Sequence, residues 1–224
     1  MKTILIVGGS KGIGAAITKS LKDLHQVITI SRGDNPIEGI THHSLDVLID
    51  SLPVIENLDG LVYCPGSINL KSLNRLKTED FQSDFNINVL GAIRVIKFYE
   101  NQLLKSNGSV VLFSTVATHL GMPFHSSIAV SKSAVEGLAK SLAAEYATKI
   151  RFNVIAPTVT ETPLASRLLR NDKQKESMRE RHPFKQYLNP EEVASLAEYL
   201  LSAKSKSISG QIIPMDAGIV SVKL

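Results

Sequence analysis

Short runs of consecutive apolar, largely β-branched residues alternate along the chain with longer stretches whose apolar positions recur at helical spacing. The runs lie at 3–7, 26–30, 60–63, 109–113, 151–155 and 211–215, with a shorter, more polar one at 41–45. The six longer runs are apolar throughout instead of alternating, which predicts strands of a parallel sheet covered on both faces. Between them, 12–22, 78–105 and 126–148 read as amphipathic helices. The tetrad Asn189-Pro190-Glu191-Glu192 predicts another helix start, with Asn189 as N-cap, Pro190 at the first position and Glu192 reaching back. Strand-helix-strand units repeated in this way, with right-handed crossovers, predict a doubly wound α/β fold. The expected architecture is a three-layer sandwich around a mostly parallel seven-stranded sheet, with residues 1–224 forming one domain. Only 162–187 breaks the rhythm. It is long and charged, carrying Arg167, Arg170, Lys173, Lys175, Arg179, Arg181 and Lys185 against Asp172, Glu176 and Glu180. Its position after a strand end suits a substrate lid, and its composition suits a solvated helix pair equally well.

Composition narrows the setting without naming a function. At 224 residues the chain can bury a full core without staples. Its single cysteine, Cys64, excludes an intrachain disulfide and a cysteine-based zinc site, and a reducing cytoplasm is the expected location. No metal site is expected. No apolar run approaches the roughly 20 residues of a membrane span. The net charge of +4 favours anionic ligands or serves solubility alone. Basic residues are spread without interleaved aromatics, so nucleic acid is not an expected partner.

The most specific chemistry follows the first run. Gly8-Gly9-Ser10-Lys11-Gly12-Ile13-Gly14 stands between a strand and a helix. In that context Gly8 permits a tight turn, Gly12 admits a pyrophosphate close to the backbone, and Gly14 allows tight helix–sheet packing. The helix N-terminus then faces the phosphates. Cofactor choice is read from the end of the second run. An NAD-type site places a carboxylate there, whereas this chain has Ser31-Arg32-Gly33 with no acid before Asp34. A guanidinium can fork onto a 2′-phosphate, Ser31 offers a hydroxyl, and Lys11 adds positive charge, so NADP(H) is preferred over NAD(H).

The spacing Gly-x-x-x-Gly-Ile-Gly resembles the short-chain dehydrogenase/reductase family, and the resemblance runs over nearly the whole chain. It implies a Rossmann-type fold and a nicotinamide-dependent oxidoreductase acting on a carbonyl/alcohol pair. Asp46-Val47 resembles the family's adenine-contacting position, and Asn88 in Asn86-Ile87-Asn88-Val89-Leu90-Gly91 its active-site asparagine. Gly66 falls in the motif after the fourth strand, written here Tyr63-Cys64-Pro65-Gly66. Asn153-Val154-Ile155-Ala156-Pro157, with Val159 and Thr162-Pro163, resembles the clasp on the nicotinamide half. Ser209-Gly210-Gln211 with Asp216-Ala217-Gly218 resembles the C-terminal signature. Thr158 stands where the clasp usually has glycine, and Val7 where a threonine is usual.

The resemblance also implies a catalytic set of Asn88, Thr115 and Lys132, in which a tyrosine four residues before the lysine gives or takes the substrate's proton. Here that position holds Ile128, thirteen residues after Thr115. Loss of a positioned acid lowers rates by about 10²–10⁴-fold. Candidate substitutes are His125, Ser126, Ser127, Tyr63 or an acid on the substrate itself. Two main readings follow: an NADP(H)-dependent oxidoreductase with altered or weak catalysis, or a catalytically silent NADP(H)-binding sensor or partner subunit. A third keeps the site for chemistry that needs no phenol, such as a substrate-assisted elimination. Resemblance further implies a homodimer or homotetramer through the helices at 78–105 and 126–148, with Ala134, Leu138, Leu142, Ala143 and Tyr146 as a self-complementary face. The alternative is that these residues face the sheet.

Overall fold

The computed structural model describes residues 1–223. Seven strands form one sheet: β1 (Thr3–Val7), β2 (Gln26–Ser31), β3 (Thr41–Ser44), β4 (Gly60–Tyr63), β5 (Ser109–Phe113), β6 (Arg151–Pro157) and β7 (Ile212–Met215). Their order is β3-β2-β1-β4-β5-β6-β7, and every pairing is parallel. The expectation of a mostly parallel sheet is therefore met by a wholly parallel one. Because β1 neighbours both β2 and β4, the chain winds outward in both directions from that point. A crevice opens there at the carboxyl ends of the strands.

The six long runs lack polar alternation because successive strand residues enter two different cores. Ile4, Ile6, Val62, Val111 and Ile155 pack with Ile17 and Leu21 of α1 (Gly12–Leu21) and with Val193, Ala197 and Leu200 of α6 (Pro190–Leu201). Leu5, Val7, Leu61, Val110, Leu112 and Val154 face the opposite way. They pack with Val95, Tyr99 and Leu103 of α3 (Gly91–Ser106) and Val135 and Ala139 of α4 (Ser126–Glu145). Burying both faces is what holds the three layers together. The face suggested for self-association is divided: Ala143 is buried in this second core, with Ala134, Leu142 and Tyr146 packed against it.

The helix expected over 78–105 proves to be three segments. α2 (Thr78–Phe85) leads into a π-helical turn (Asn86–Leu90), and α3 follows without a break. A π turn admits one extra residue per turn, which periodicity over so long a stretch does not resolve. Gly91 closes the turn because a Cβ there would collide with the Tyr63 hydroxyl. At the start of α6, the Asn189 N–H donates to Glu192 Oε2 at 2.7 Å, the reach-back predicted from sequence.

The charged 162–187 stretch contains a short 3₁₀ turn (Pro163–Ala165) and α5 (Asp172–Glu180). It has its own small core of Leu169, Met178 and Tyr187, packed against Val159 and Leu168. Its ends are pinned together by Leu188 N–H to the Val159 carbonyl (3.0 Å) and Glu161 N–H to the Leu188 carbonyl (2.8 Å). No helix among the described residues is long and apolar enough to cross a membrane.

Candidate active site

The crevice begins where β1 meets α1. Gly8 adopts φ +79°, a left-handed conformation that favours glycine. A Cβ on Gly14 would collide with the Gly8 carbonyl oxygen, so the first turn of α1 packs directly on the loop before it. The buried Thr18 hydroxyl lies within hydrogen-bond distance of the Gly9 (3.1 Å) and Gly14 (2.9 Å) carbonyls and holds that geometry from below. Above the loop lies a cavity of about 350 Å³ lined by Gly8, Ser10, Lys11, Ser31, Arg32, Asp46, Val47 and Gly66. Eight residues assigned to the cofactor from sequence therefore share one space. Arg32 is exposed at this cavity, and its guanidinium has no hydrogen-bond partner among the described residues. The Ser31 hydroxyl donates to the Gly33 carbonyl at 2.9 Å and shapes the turn. Asp46 likewise braces its own loop, Oδ1 accepting from the Leu48 N–H at 2.9 Å. Asp34 lines the same cavity.

A second cavity, of about 180 Å³, shares Gly66 with the first and extends toward α4 and the 162–187 stretch. It brings together Ile13, Thr115, His125, Ile128, Lys132, Pro157, Val159 and Thr162, with an apolar lining from Ile68, Leu70, Phe113, Leu164 and Leu168. Thr162 also meets the glycine loop, because a Cβ on Gly12 would lie 3.2 Å from its side chain. Lys132 is buried, and its Nζ donates to the Phe113 carbonyl at 2.9 Å. Burial lowers its pKa to about 8, a fall that the nearby Cys64 and Asp84 partly offset. The Cys64 thiol is pushed up to about 12, again chiefly by burial.

Asn88 sits inside the π turn and is almost fully buried. Its Nδ2 donates to the Asp84 carbonyl (2.8 Å) and to Ser67 Oγ (3.1 Å), while its buried Oδ1 has no hydrogen-bond partner among the described residues. Gly66 forms the floor beneath this atom and the lysine. A Cβ added there would lie 3.5 Å from Asn88 Oδ1 and 3.7 Å from Lys132 Nζ. Asp84 anchors the group, accepting from Ser67 Oγ (2.5 Å), Asn69 Nδ2 (2.9 Å) and Ser127 Oγ (2.6 Å).

The candidate proton donors separate cleanly. Tyr63 is directed elsewhere: its hydroxyl donates to the Ile87 carbonyl at 2.7 Å, it lines the first cavity, and burial raises its pKa. Ser127 is engaged by Asp84, and Ser126 is exposed and does not line the second cavity. His125 does line it. A carbonyl can only accept, so the 2.7 Å contact between His125 Nδ1 and Pro123 O places the ring proton on Nδ1. Nε2 has no partner among the described residues. Thr115 caps the turn at Val116–Thr118, its Oγ1 accepting from the Ala117 N–H at 3.3 Å, which leaves its hydroxyl proton available to the cavity.

Two clusters escaped sequence reading. Glu136 lies one helical turn beyond Lys132, and its Oε1 accepts from Ser114 Oγ (2.5 Å) and Thr118 Oγ1 (2.7 Å), with His119 Nε2 at 3.5 Å. The four-residue spacing from Lys132 was the available signal. Thr158, at the position where glycine is usual, hydrogen-bonds the buried His182 Nε2 at 2.8 Å, and His182 Nδ1 donates to the Met178 carbonyl at 2.8 Å. It thus ties the 162–187 stretch to the end of β6. Nothing local in the sequence announces that contact.

A dinucleotide fits these residues. Glycines keep the loop open to phosphates, an unpaired cation stands at one end, and an orphaned amide oxygen and a buried amine meet at the other.

Known proteins share this fold. The family described as Enoyl-(Acyl carrier protein) reductase matches residues 45–220. The 3-oxoacyl-[acyl-carrier-protein] reductase FabG of Thermotoga maritima is 32% identical over 98% of each chain. A short-chain dehydrogenase family protein from Francisella tularensis superimposes with a TM-score of 0.90 at 26% identity, covering 99% of this chain and 100% of that one. ElxO, solved with NADP bound, gives 0.87 at 27% identity, covering 99% and 100%. A matched family spanning most of the sequence, a relative aligned end to end and a shared fold lead to one conclusion: this chain belongs to the short-chain dehydrogenase/reductase family of oxidoreductases.

Proposed function

We propose that the chain is an NADP(H)-dependent oxidoreductase acting on an apolar carbonyl/alcohol pair, with His125 taking the proton-transfer role at a site where Ile128 replaces the family's tyrosine. The observation that carries this reading is the convergence of His125, Thr115 and Lys132 on one apolar cavity joined at Gly66 to the glycine-loop cavity. NADP(H) supplies the hydride when bound. Ser10, Lys11 and the glycine loop hold the phosphates, and Arg32 meets the 2′-phosphate. Asp46 and Val47 border the adenine, while Pro157, Val159 and Thr162 clasp the nicotinamide half. Lys132 donates to the ribose from a site whose low polarity strengthens the bond. Thr115 turns its hydroxyl proton to the substrate oxygen; in alcohol oxidation His125 takes the alcohol's proton at its bare Nε2, and in the reverse direction the imidazolium so formed returns it. Asn88 braces the helix and offers Oδ1 toward Lys132. Leu164, Leu168, Ile68 and Leu70 exclude water, with 162–187 as the lid. The relatives that reduce 3-oxoacyl thioesters and the NADP-bound ElxO support the substrate and cofactor classes. By the same family likeness the protein works in the cytoplasm as a homodimer or homotetramer.

The test is NADPH oxidation against ketones and 3-oxoacyl thioesters. The wild type turns over, and His125→Ala lowers kcat by about 10²-fold or more with little change in NADPH affinity. Unchanged turnover in that variant removes His125 from the mechanism. A second reading, a silent NADP(H)-binding sensor or partner subunit, is favoured by the buried Ile128 side chain lining the cavity. It predicts tight NADPH binding with no turnover on any member of the panel.

A further inference from the structure

Thr29 is a polar residue in the apolar middle of β2 and is fully buried. Directly opposite it in the parallel register stands His42 of β3. The Thr29 hydroxyl lies 2.9 Å from His42 Nδ1, and His42 Nε2 lies 2.9 Å from the Gly33 carbonyl. That carbonyl can only accept, so in the singly protonated ring Nε2 carries the hydrogen and Nδ1 accepts from Thr29. The Thr29 oxygen in turn accepts from Asn35 Nδ2 at 3.1 Å, and the same amide nitrogen lies 3.4 Å from the Gly9 carbonyl. Every donor in this chain finds an acceptor, and the chain runs from the glycine loop through β2 and β3 to the residue after Arg32. Gly9 sits on top of it, since a Cβ there would lie 2.7 Å from Thr29 Cγ2.

We propose that His42 is a positioning residue for cofactor selection. It fixes the Ser31–Gly33 turn, from which Arg32 reaches the cavity, and Thr29 and Asn35 lock that turn to the glycine loop. The inference rests on the NADP(H) reading above and adds a residue outside the cavity to it. Arg32 is exposed, and only its backbone is held. A mobile turn would have to be ordered each time a 2′-phosphate bound, whereas a fixed one presents the guanidinium already placed. A carbonyl held by two donors, His42 Nε2 and Ser31 Oγ, is a fixed one. In that reading the adenine borders Asp46 and Val47 and the 5′-phosphate the glycine loop, none of which hydrogen-bonds His42, so His42 acts on the choice between cofactors.

The experiment is calorimetric titration of the full chain with adenosine 2′,5′-bisphosphate and, separately, with 5′-AMP. The wild type prefers the bisphosphate. His42→Leu narrows that preference by about three- to tenfold, the scale of ordering one mobile segment, and leaves 5′-AMP affinity within about twofold. His42→Gln, which keeps an N–H for the Gly33 carbonyl, restores most of the preference. Thr29→Val conserves size and narrows the preference in the same direction, so it decides the matter if His42→Leu does not fold. An unchanged preference in the leucine and valine variants overturns the proposal, as does equal weakening of both ligands. A wild type without preference overturns the NADP(H) reading itself, which separates the two failures.

Discussion

The two ends of the crevice are built by different means. At the glycine-loop end the work is done by backbone, with Gly8 in a left-handed turn and Gly14 packed on the Gly8 carbonyl, and the exposed Arg32 stands at the rim. At the α4 end it is done by buried side chains from distant parts of the chain, with Asp84 gathering Ser67, Asn69 and Ser127 around Asn88 and Lys132. Backbone geometry leaves little room for substitution by anything but glycine. A side-chain network can lose one member and keep its shape, and on the proposed reading Ile128 takes the tyrosine's place on those terms. The ends should therefore respond separately to change.

The largest expected effect sharpens that contrast. In the His125→Ala background, Ile128→Tyr places a phenol four residues before Lys132, and turnover should rise by about 10²–10⁴-fold in the steady-state assay. The NADPH dissociation constant should change little, because the glycine loop is untouched. Next in size is Asp84→Ala, which orphans three donors. Urea unfolding should show a loss of about 2–4 kcal/mol, whereas a loss within error would mean that the network is incidental.

Arg32→Asp acts on the other end alone. Removing a charge-assisted pair and placing a carboxylate there should reverse the preference between NADPH and NADH, a change of about 10- to 100-fold in the ratio of dissociation constants by fluorescence titration. Thermal stability should be unaffected, since Arg32 is exposed. The smallest effect concerns Lys132. Its folded pKa, about 8, lies below that of an unfolded lysine, about 10.4, so between those values the unfolded chain binds more protons. The Lys132 contribution, read as the difference between wild type and Lys132→Met, should rise with pH across that window by about 1–3 kcal/mol and stay flat below it, while the raised Cys64 thiol acts in the opposite direction in both chains. A difference that stays flat across the window would contradict the lowered lysine.

The same division explains what the sequence discloses. The glycine loop and the six apolar strands were legible because each depends on residues adjacent in the chain. The capping pair Asn189 and Glu192 was legible for the same reason. The π turn at Asn86–Leu90 was not, because one extra residue in a long amphipathic stretch barely disturbs its periodicity. Nor were the Asp84 cluster and the Thr158–His182 contact, whose partners lie 15 to 43 and 24 residues apart and meet only once the layers are packed. The bond from the Ser31 hydroxyl to the Gly33 carbonyl, two residues on, was not read from the sequence either.

Everything proposed for this chain requires that the crevice hold a phosphorylated dinucleotide. The most direct test is calorimetric titration of the wild-type protein with NADPH and with NADH under the same conditions. The account predicts one site per chain, with NADPH bound at least about tenfold more tightly, the worth of a charge-assisted pair to a phosphate. Equal affinities, or no binding of either, would contradict it.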